Sequence, residues 1–141
     1  MDHIVYMDAE ARELEKLLSG EKTMIVRGAT GRKLPYGRVA PGDCLFFLVN
    51  NGEGIVRARA AVSSVLNSEK LTEEQSAALL KSSQSKLNLT PEQTRRWSGK
   101  RYLVLIEVTQ VHAIDPFAID RSEYGNMDDW LLVNNIESVR K

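Results

Sequence analysis

Residues 20–43 read GEKTMIVRGATGRKLPYGRVAPGD, and the changes of pattern along this stretch decide the fold. Gly20 stops a helix, because a residue without Cβ takes up the left-handed conformation at a helix C-terminus without strain. Residues 22 to 27 then alternate as a strand, with Thr23, Ile25 and Arg27 on one side and Lys22, Met24 and Val26 on the other. On that pattern Lys22 and Arg27 point apart unless a bulge intervenes. Between Lys22 and Gly42 stand Lys22, Arg27, Arg32, Lys33 and Arg38 without one carboxylate. Glycines at 28, 31, 37 and 42 and hydroxyls at Thr23, Thr30 and Tyr36 complete a loop suited to a phosphate, the plain alternative being a solvated basic loop.

Working outward, Ile4-Val5-Tyr6 is a short strand, and Asp8 caps a helix over about 8 to 18 with Ala11, Leu14, Leu17 and Leu18 on its apolar face. Downstream, Pro41-Gly42-Asp43 turns the chain into residues 44 to 49, CLFFLV, which are apolar throughout and so buried on both faces. Asn51-Gly52 signals a hairpin whose returning strand, residues 54 to 65, carries Arg57 and Arg59 on one face and Val56, Ala58, Ala60 and Val62 on the other. The period then becomes helical. Thr72 with Gln75, and Thr90 with Pro91 and Gln93, are capping boxes that open helices over about 71 to 82 and 91 to 97, forming a helical insertion at about 67–99.

That insertion ends in a second acid-free cluster, Arg95, Arg96, Lys100 and Arg101, interleaved with Trp97 and Tyr102. Arginine beside an aromatic ring grips a base and its phosphate in single strands; the structural alternative is that Trp97 closes the core. Residues 102 to 112 form a last long strand, with His112 near its end and no nucleophile or ligand spacing around it. The chain turns acidic at Asp115, Asp120, Glu123, Asp128 and Asp129 before the apolar Trp130-Leu131-Leu132-Val133. These acids either pair with the basic clusters or lie elsewhere.

The 141 residues contain nineteen Lys and Arg against nineteen Asp and Glu, so any polyanion must be met by a patch and not by bulk charge. A single cysteine, Cys44, excludes an internal disulfide, and His3 and His112 lack zinc spacing, so no metal and no cofactor is expected. The start, MDHIVYMDAEARE, has no signal-peptide pattern and no apolar run reaches membrane length, which makes the cytosol the expected compartment. Gly28-Ala29-Thr30-Gly31 spells GXXG but follows a strand, unlike the KH loop, and is too short for a P-loop.

The order of helix, Gly20-Glu21-Lys22-Thr23, strand to Arg27, Pro41-Gly42-Asp43 and apolar strand resembles ASCH domains of the PUA-like superfamily, which also holds EVE and YTH modules. The resemblance runs best from Leu14 to Val65, with the later strand from Tyr102 to Val111 in matching order. It implies an α+β fold: one PUA-like domain over residues 1–141, a small mixed β-barrel with flanking helices. It also implies a cleft beside the Gly20–Asp43 segment that binds RNA or a modified nucleobase. In that reading the contacts fall to Lys22, Arg27, Arg32, Lys33, Tyr36, Arg38, Arg95, Arg96, Trp97 and Lys100.

Some ASCH proteins are amidohydrolases on acylated cytidine, using a Lys, a Thr and a Glu. Here Lys22 and Thr23 match the Lys-Thr pair, Ile25 takes the place of the second Thr, and the carboxylate is Glu69, Glu73 or Glu74, with Glu73 the choice for a catalytic set. Three function classes therefore stand: a binding module for RNA or a nucleobase, a hydrolase on RNA or a modified nucleoside, and a protein-interaction module. Enzymatic activity is left open. A Lys22 amine sharing a pocket with a carboxylate is the feature that separates the first two.

Overall fold

The computed structural model describes residues 1–124 and 128–141. Strand β1 (Asp2–Met7) is followed by helix α1 (Glu13–Ser19) and strand β2 (Met24–Ala29). Strands β3 (Cys44–Val49) and β4 (Ile55–Asn67) form the hairpin that Asn51-Gly52 signals. Helices α2 (Glu73–Ser82), α3 (Gln84–Leu87) and α4 (Pro91–Trp97) precede the long β5 (Tyr102–Ala118), and β6 (Trp130–Val133) comes last. Both capping boxes are formed: Thr72 and Thr90 accept from the Gln75 and Gln93 N–H groups, and each Gln side chain returns the bond.

Helix α1 starts at Glu13 and not at residue 8. Asp8 does cap a turn, accepting the Ala11 N–H at 3.2 Å, but Arg12 takes a left-handed φ of 55° that breaks helical continuity. Leu18, expected on the apolar face, is exposed, while Ala11, Leu14 and Leu17 are buried. Gly20, at φ 84°, ends the helix as the sequence requires.

The strands make one sheet of six in the order β2-β5-β4-β3-β1-β6. Strand β1 runs parallel to β3, with Ile4 opposite Phe46, and antiparallel to β6, with Ile4 opposite Leu131. The longest ladder joins β4 to β5 and is interrupted by three register shifts, each of which adds bend and twist. The sheet therefore curls into a half-barrel. It stops short of the closed barrel that the resemblance implies, because among the described residues the edge strands β2 and β6 share no hydrogen-bonded ladder.

Alternation along the strands sorts side chains between two sides of the curl. Val5, Met7, Ile25, Leu45, Phe47, Val62, Ile106 and Trp130 fill the interior with Leu14 and Leu17 of α1. Phe47 is fully buried there, worth about 1.5–3 kcal/mol relative to exposure. Outside, Val26, Leu103 and Leu105 pack against Leu80, Leu87 and Leu89, so the helical insertion lies over β2 and β5. Ile4, Phe46, Leu48, Val56 and Val133 pack with Ile119, Ile136 and Val139 in a third cluster. Among the described residues no helix is long and apolar enough to cross a membrane.

Candidate functional site

Where the ladder stops, side chains take over. Arg27 on β2 is buried and reaches across the open seam, its Nη2 donating to the Tyr6 carbonyl of β1 at 2.9 Å and its Nη1 to Val26 O at 2.8 Å. Its guanidinium lies 5.9 Å from the ring centres of both Trp97 on α4 and Trp130 on β6, within cation–π range of each. The Arg27 Nε makes no hydrogen bond among the described residues, with Asp129 Oδ2 in ion-pair range at 3.4 Å.

Beside Arg27 the seam opens into a polar cavity of about 30 Å³, bounded by Glu13, Gln93, Arg96, Trp97 and Asp129. Glu13, only 3 % exposed, is fixed by α1: its Oε1 accepts the Asp8 N–H at 2.9 Å while its own N–H donates to Asp8 O at 3.1 Å. Its Oε2 stands 3.6 Å from the Lys22 Nζ. Gln93, also buried, spends its Oε1 on the Thr90 N–H at 3.1 Å, so the amide nitrogen is what remains for the cavity.

Lys22 precedes β2, so the strand alternation does not govern it, and its side chain runs inward to full burial. The amine donates to the Leu87 carbonyl at the end of α3, while Lys16 Nζ donates to Asn88 O at 3.1 Å, two cations on the orphan carbonyls of one helix end. Burial pulls the Lys22 pKa down from 10.5 to about 8; Glu13 opposes the shift and the Arg27 charge adds to it. Lys22 and a glutamate thus do share one site. The glutamate is Glu13, whereas Glu69, Glu73 and Glu74 are all exposed, Glu73 in the first turn of α2.

The remaining expected residues are divided among several surfaces. Arg27, Lys33 and Tyr36 line a second, narrow cleft with Tyr102. Arg32 lies over the Tyr36 and Tyr102 rings at 5.7 and 5.5 Å, and Arg38 is exposed. Lys100 packs beside Gly28, where an added Cβ would meet Leu103 Cδ2 at 2.7 Å. Arg95 faces a groove on the outer side of the helices with Ala77, Leu80 and Leu89. Thr23 carries β2 into the sheet, accepting the Val108 N–H through its carbonyl at 3.0 Å.

The clusters that are acid-free in sequence are not acid-free in space. Asp128 reaches Lys33 at 3.1 Å, Asp129 reaches Arg27 and Asp8 reaches Arg96 at 3.3 Å. Of the acidic segment, Asp128 and Asp129 realise the pairing reading, while no ion pair joins Asp115, Asp120 or Glu123 to the basic clusters among the described residues. Glu13 left one trace in the sequence: it stands four residues before Leu17, on the buried stripe of α1.

His3 anchors the other flank. Its Nε2 meets Asp43 Oδ2 at 2.8 Å and its Nδ1 accepts the Trp130 Nε1–H at 3.0 Å, which ties β1, β3 and β6 together and holds the Trp130 ring against Arg27. Burial pushes the His3 pKa down against the opposing pull of Asp43. Burial alone would raise Asp43; the His3 hydrogen bond and the Ala40 N–H outweigh it and hold the carboxyl low.

No protein-family model matches the sequence, and no curated protein matches it significantly. Crystal structures of an ASCH protein from Zymomonas mobilis and of two single-residue variants of it do match by shape, each at TM-score 0.69 and 15% identity. The parent match covers 97% of this chain and 90% of that one, and the variants' chains are covered to 91% and 93%. At such identity the likeness is one of fold.

Proposed function

We propose, from the premise that this chain has an ASCH-domain fold, that it is an RNA- or nucleobase-binding module whose site is the open seam beside the Gly20–Asp43 segment. The observation that carries the reading is Arg27, buried at the seam between Trp97 and Trp130 with Arg96 at the rim. Trp97 is half-buried and lines the cavity, so its exposed part offers a face for one base while the neighbouring guanidinium groups meet the phosphate. Arg96 and Lys33 are exposed, and exchange of their ion pairs with Asp8 and Asp128 for a phosphate costs little.

The hydrolase alternative asks Lys22 to touch substrate. Its amine is wholly enclosed, donates to Leu87 O and faces Glu13, which favours a supporting role behind the cavity over a reacting one.

Titration of a ten-nucleotide single-stranded RNA, followed by tryptophan fluorescence at low and at physiological salt, tests the reading. Saturable quenching is expected, weaker at the higher salt as phosphate contacts require. Trp97→Ala removes about 1–3 kcal/mol if one base stacks there, whereas Arg95→Ala, on the outer groove, changes affinity little. Absence of binding at low salt overturns the proposal.

A further inference from the structure

Resting on the RNA-binding reading, we infer that the seam selects a guanine base, read on its Watson–Crick edge by Glu13. A carboxylate has about four lone-pair positions. In Glu13 Oε1 takes the Asp8 N–H and Oε2 stands 3.6 Å from the Lys22 Nζ, so the carboxylate, which borders the cavity, has acceptor positions left over on both oxygens. Two fixed, parallel acceptors match two parallel N–H donors, the geometry that makes carboxylate pairs bidentate.

Among the four bases only guanine offers adjacent donors, N1–H and N2–H. Adenine and cytosine set one amino group beside a ring-nitrogen lone pair that would oppose the second oxygen, and uracil flanks its single N–H with carbonyls. Guanine also presents O6, which needs a donor next to the carboxylate. The cavity wall supplies the amide nitrogen of Gln93, and the Arg27 Nε, without a hydrogen bond among the described residues but closed off by Asp129 Oδ2 at 3.4 Å, becomes a second donor once Asp129 swings aside. A guanidinium from a protein partner would satisfy Glu13 in the same way, but it would bring positive charge beside Arg27, Arg96 and Lys22 and leave both donors unused.

At about 30 Å³ the cavity has room for a water or two. The guanine edge takes that room while its ring lies on Trp97, and the rim side chains that yield, Arg96 and Asp129, are exposed. Lys22 is then a positioning residue: it holds Glu13 from behind and touches no ligand.

The test uses the full chain and the RNAs UUGUU, UUAUU, UUCUU, UUUUU and UUIUU, where I is inosine, which lacks only the 2-amino group. Tenfold or tighter binding of UUGUU than of the A, C and U forms is expected, with inosine falling between, because a site built to hydrogen-bond a group rejects the analogue without it. Glu13→Gln combined with Lys22→Met removes both charges together, so neither is left buried alone; the folded double variant binds all five at the UUUUU level. Equal affinity of the wild type for the five RNAs overturns the inference while the RNA-binding reading stands. No binding to any overturns the reading itself. A folded double variant that still prefers guanine removes Glu13 as the reader. If the double variant does not fold, the wild-type difference between guanine and inosine decides, and a ratio near one overturns the assignment.

Discussion

The two sides of the half-barrel are held together by different physics. From β5 through β4 and β3 to β1 each strand is hydrogen-bonded to the next, and the interior behind them is apolar: Leu45, Phe47, Val62 and Ile106 are at most 3 % exposed. Among the described residues no ladder runs at the seam between β2 and the β1–β6 edge, and buried polar side chains gather there: Arg27 crosses to the Tyr6 carbonyl, Lys22 and Glu13 pair close by, and the His3–Trp130 bond fixes the β1–β6 flank. The ladder side tolerates error gradually, since lost packing scales with volume. The seam does not, since a buried charge that loses its partner is penalised in full.

Lys22→Ala breaks this comparison hardest. It leaves Glu13 buried without its cation and is expected to cost about 3–5 kcal/mol, comparable to the 3–5 kcal/mol expected of Phe47→Ala on the ladder side. Urea midpoints measure both. The sharper distinction is rescue: Glu13→Gln added to Lys22→Met restores most of the loss at the seam, whereas no single partner change restores Phe47→Ala.

Proton linkage separates the sides next. Because folding lowers the Lys22 pKa from 10.5 to about 8, the unfolded chain binds more protons between those values, and stability rises with pH across that window. The rise is expected in the wild type and absent from the Glu13→Gln, Lys22→Met double variant in chemical denaturation at pH 7.5, 9 and 10. His3 acts at the acidic end. Its folded pKa lies below the ordinary 6.5, so its contribution is present above 6.5 and is lost as pH falls through the folded value. Asp43, held low, loses its contribution in turn below its ordinary 3.8. A His3→Gln variant should lack the first limb and weaken the second, since the His3 hydrogen bond is part of what holds Asp43 low.

A smaller effect is expected at Trp130. Trp130→Phe keeps a ring against Arg27 but leaves the buried His3 Nδ1 without its donor, for a loss of about 1–3 kcal/mol in urea denaturation. The least is expected of Arg57→Ala on the outer face of β4: its pairing with Glu53 at 2.8 Å is at the surface, and the midpoint should not move measurably.

What could be read from the sequence follows the same division. The capping boxes at Thr72 and Thr90, the stop at Gly20 and the buried run 44 to 49 were legible because each is decided within a few residues. Arg27 and Trp97, candidate contacts by their types and neighbours, do come together, the guanidinium lying over the indole ring. The Lys22–Glu13 pairing was not legible, because Lys22 lies just before the strand whose alternation was used to place it, and its partner comes from a helix of which only the apolar positions were read. The masking of Lys33, Arg27 and Arg96 by Asp128, Asp129 and Asp8 depends on contacts far apart in the chain that no local pattern records. Strand β6 has only four residues, and its pairing with β1 is fixed by tertiary context.

The long reach of those contacts bears on the order in which the molecule assembles. Trp130 and His3 are 127 residues apart and Arg96 and Asp8 are 88 apart, while the β3–β4 hairpin closes across a short turn. Loop closure is charged before a distant contact returns anything, so the hairpin and its neighbours form first and the seam closes on a sheet already built. The same sequence run backwards makes the seam the first part to open in the native state, with amides of β6 exchanging ahead of those of β4. Bound RNA would slow that exchange selectively, because a ligand seated at the last joint to close holds shut the part of the fold that folding itself leaves loosest.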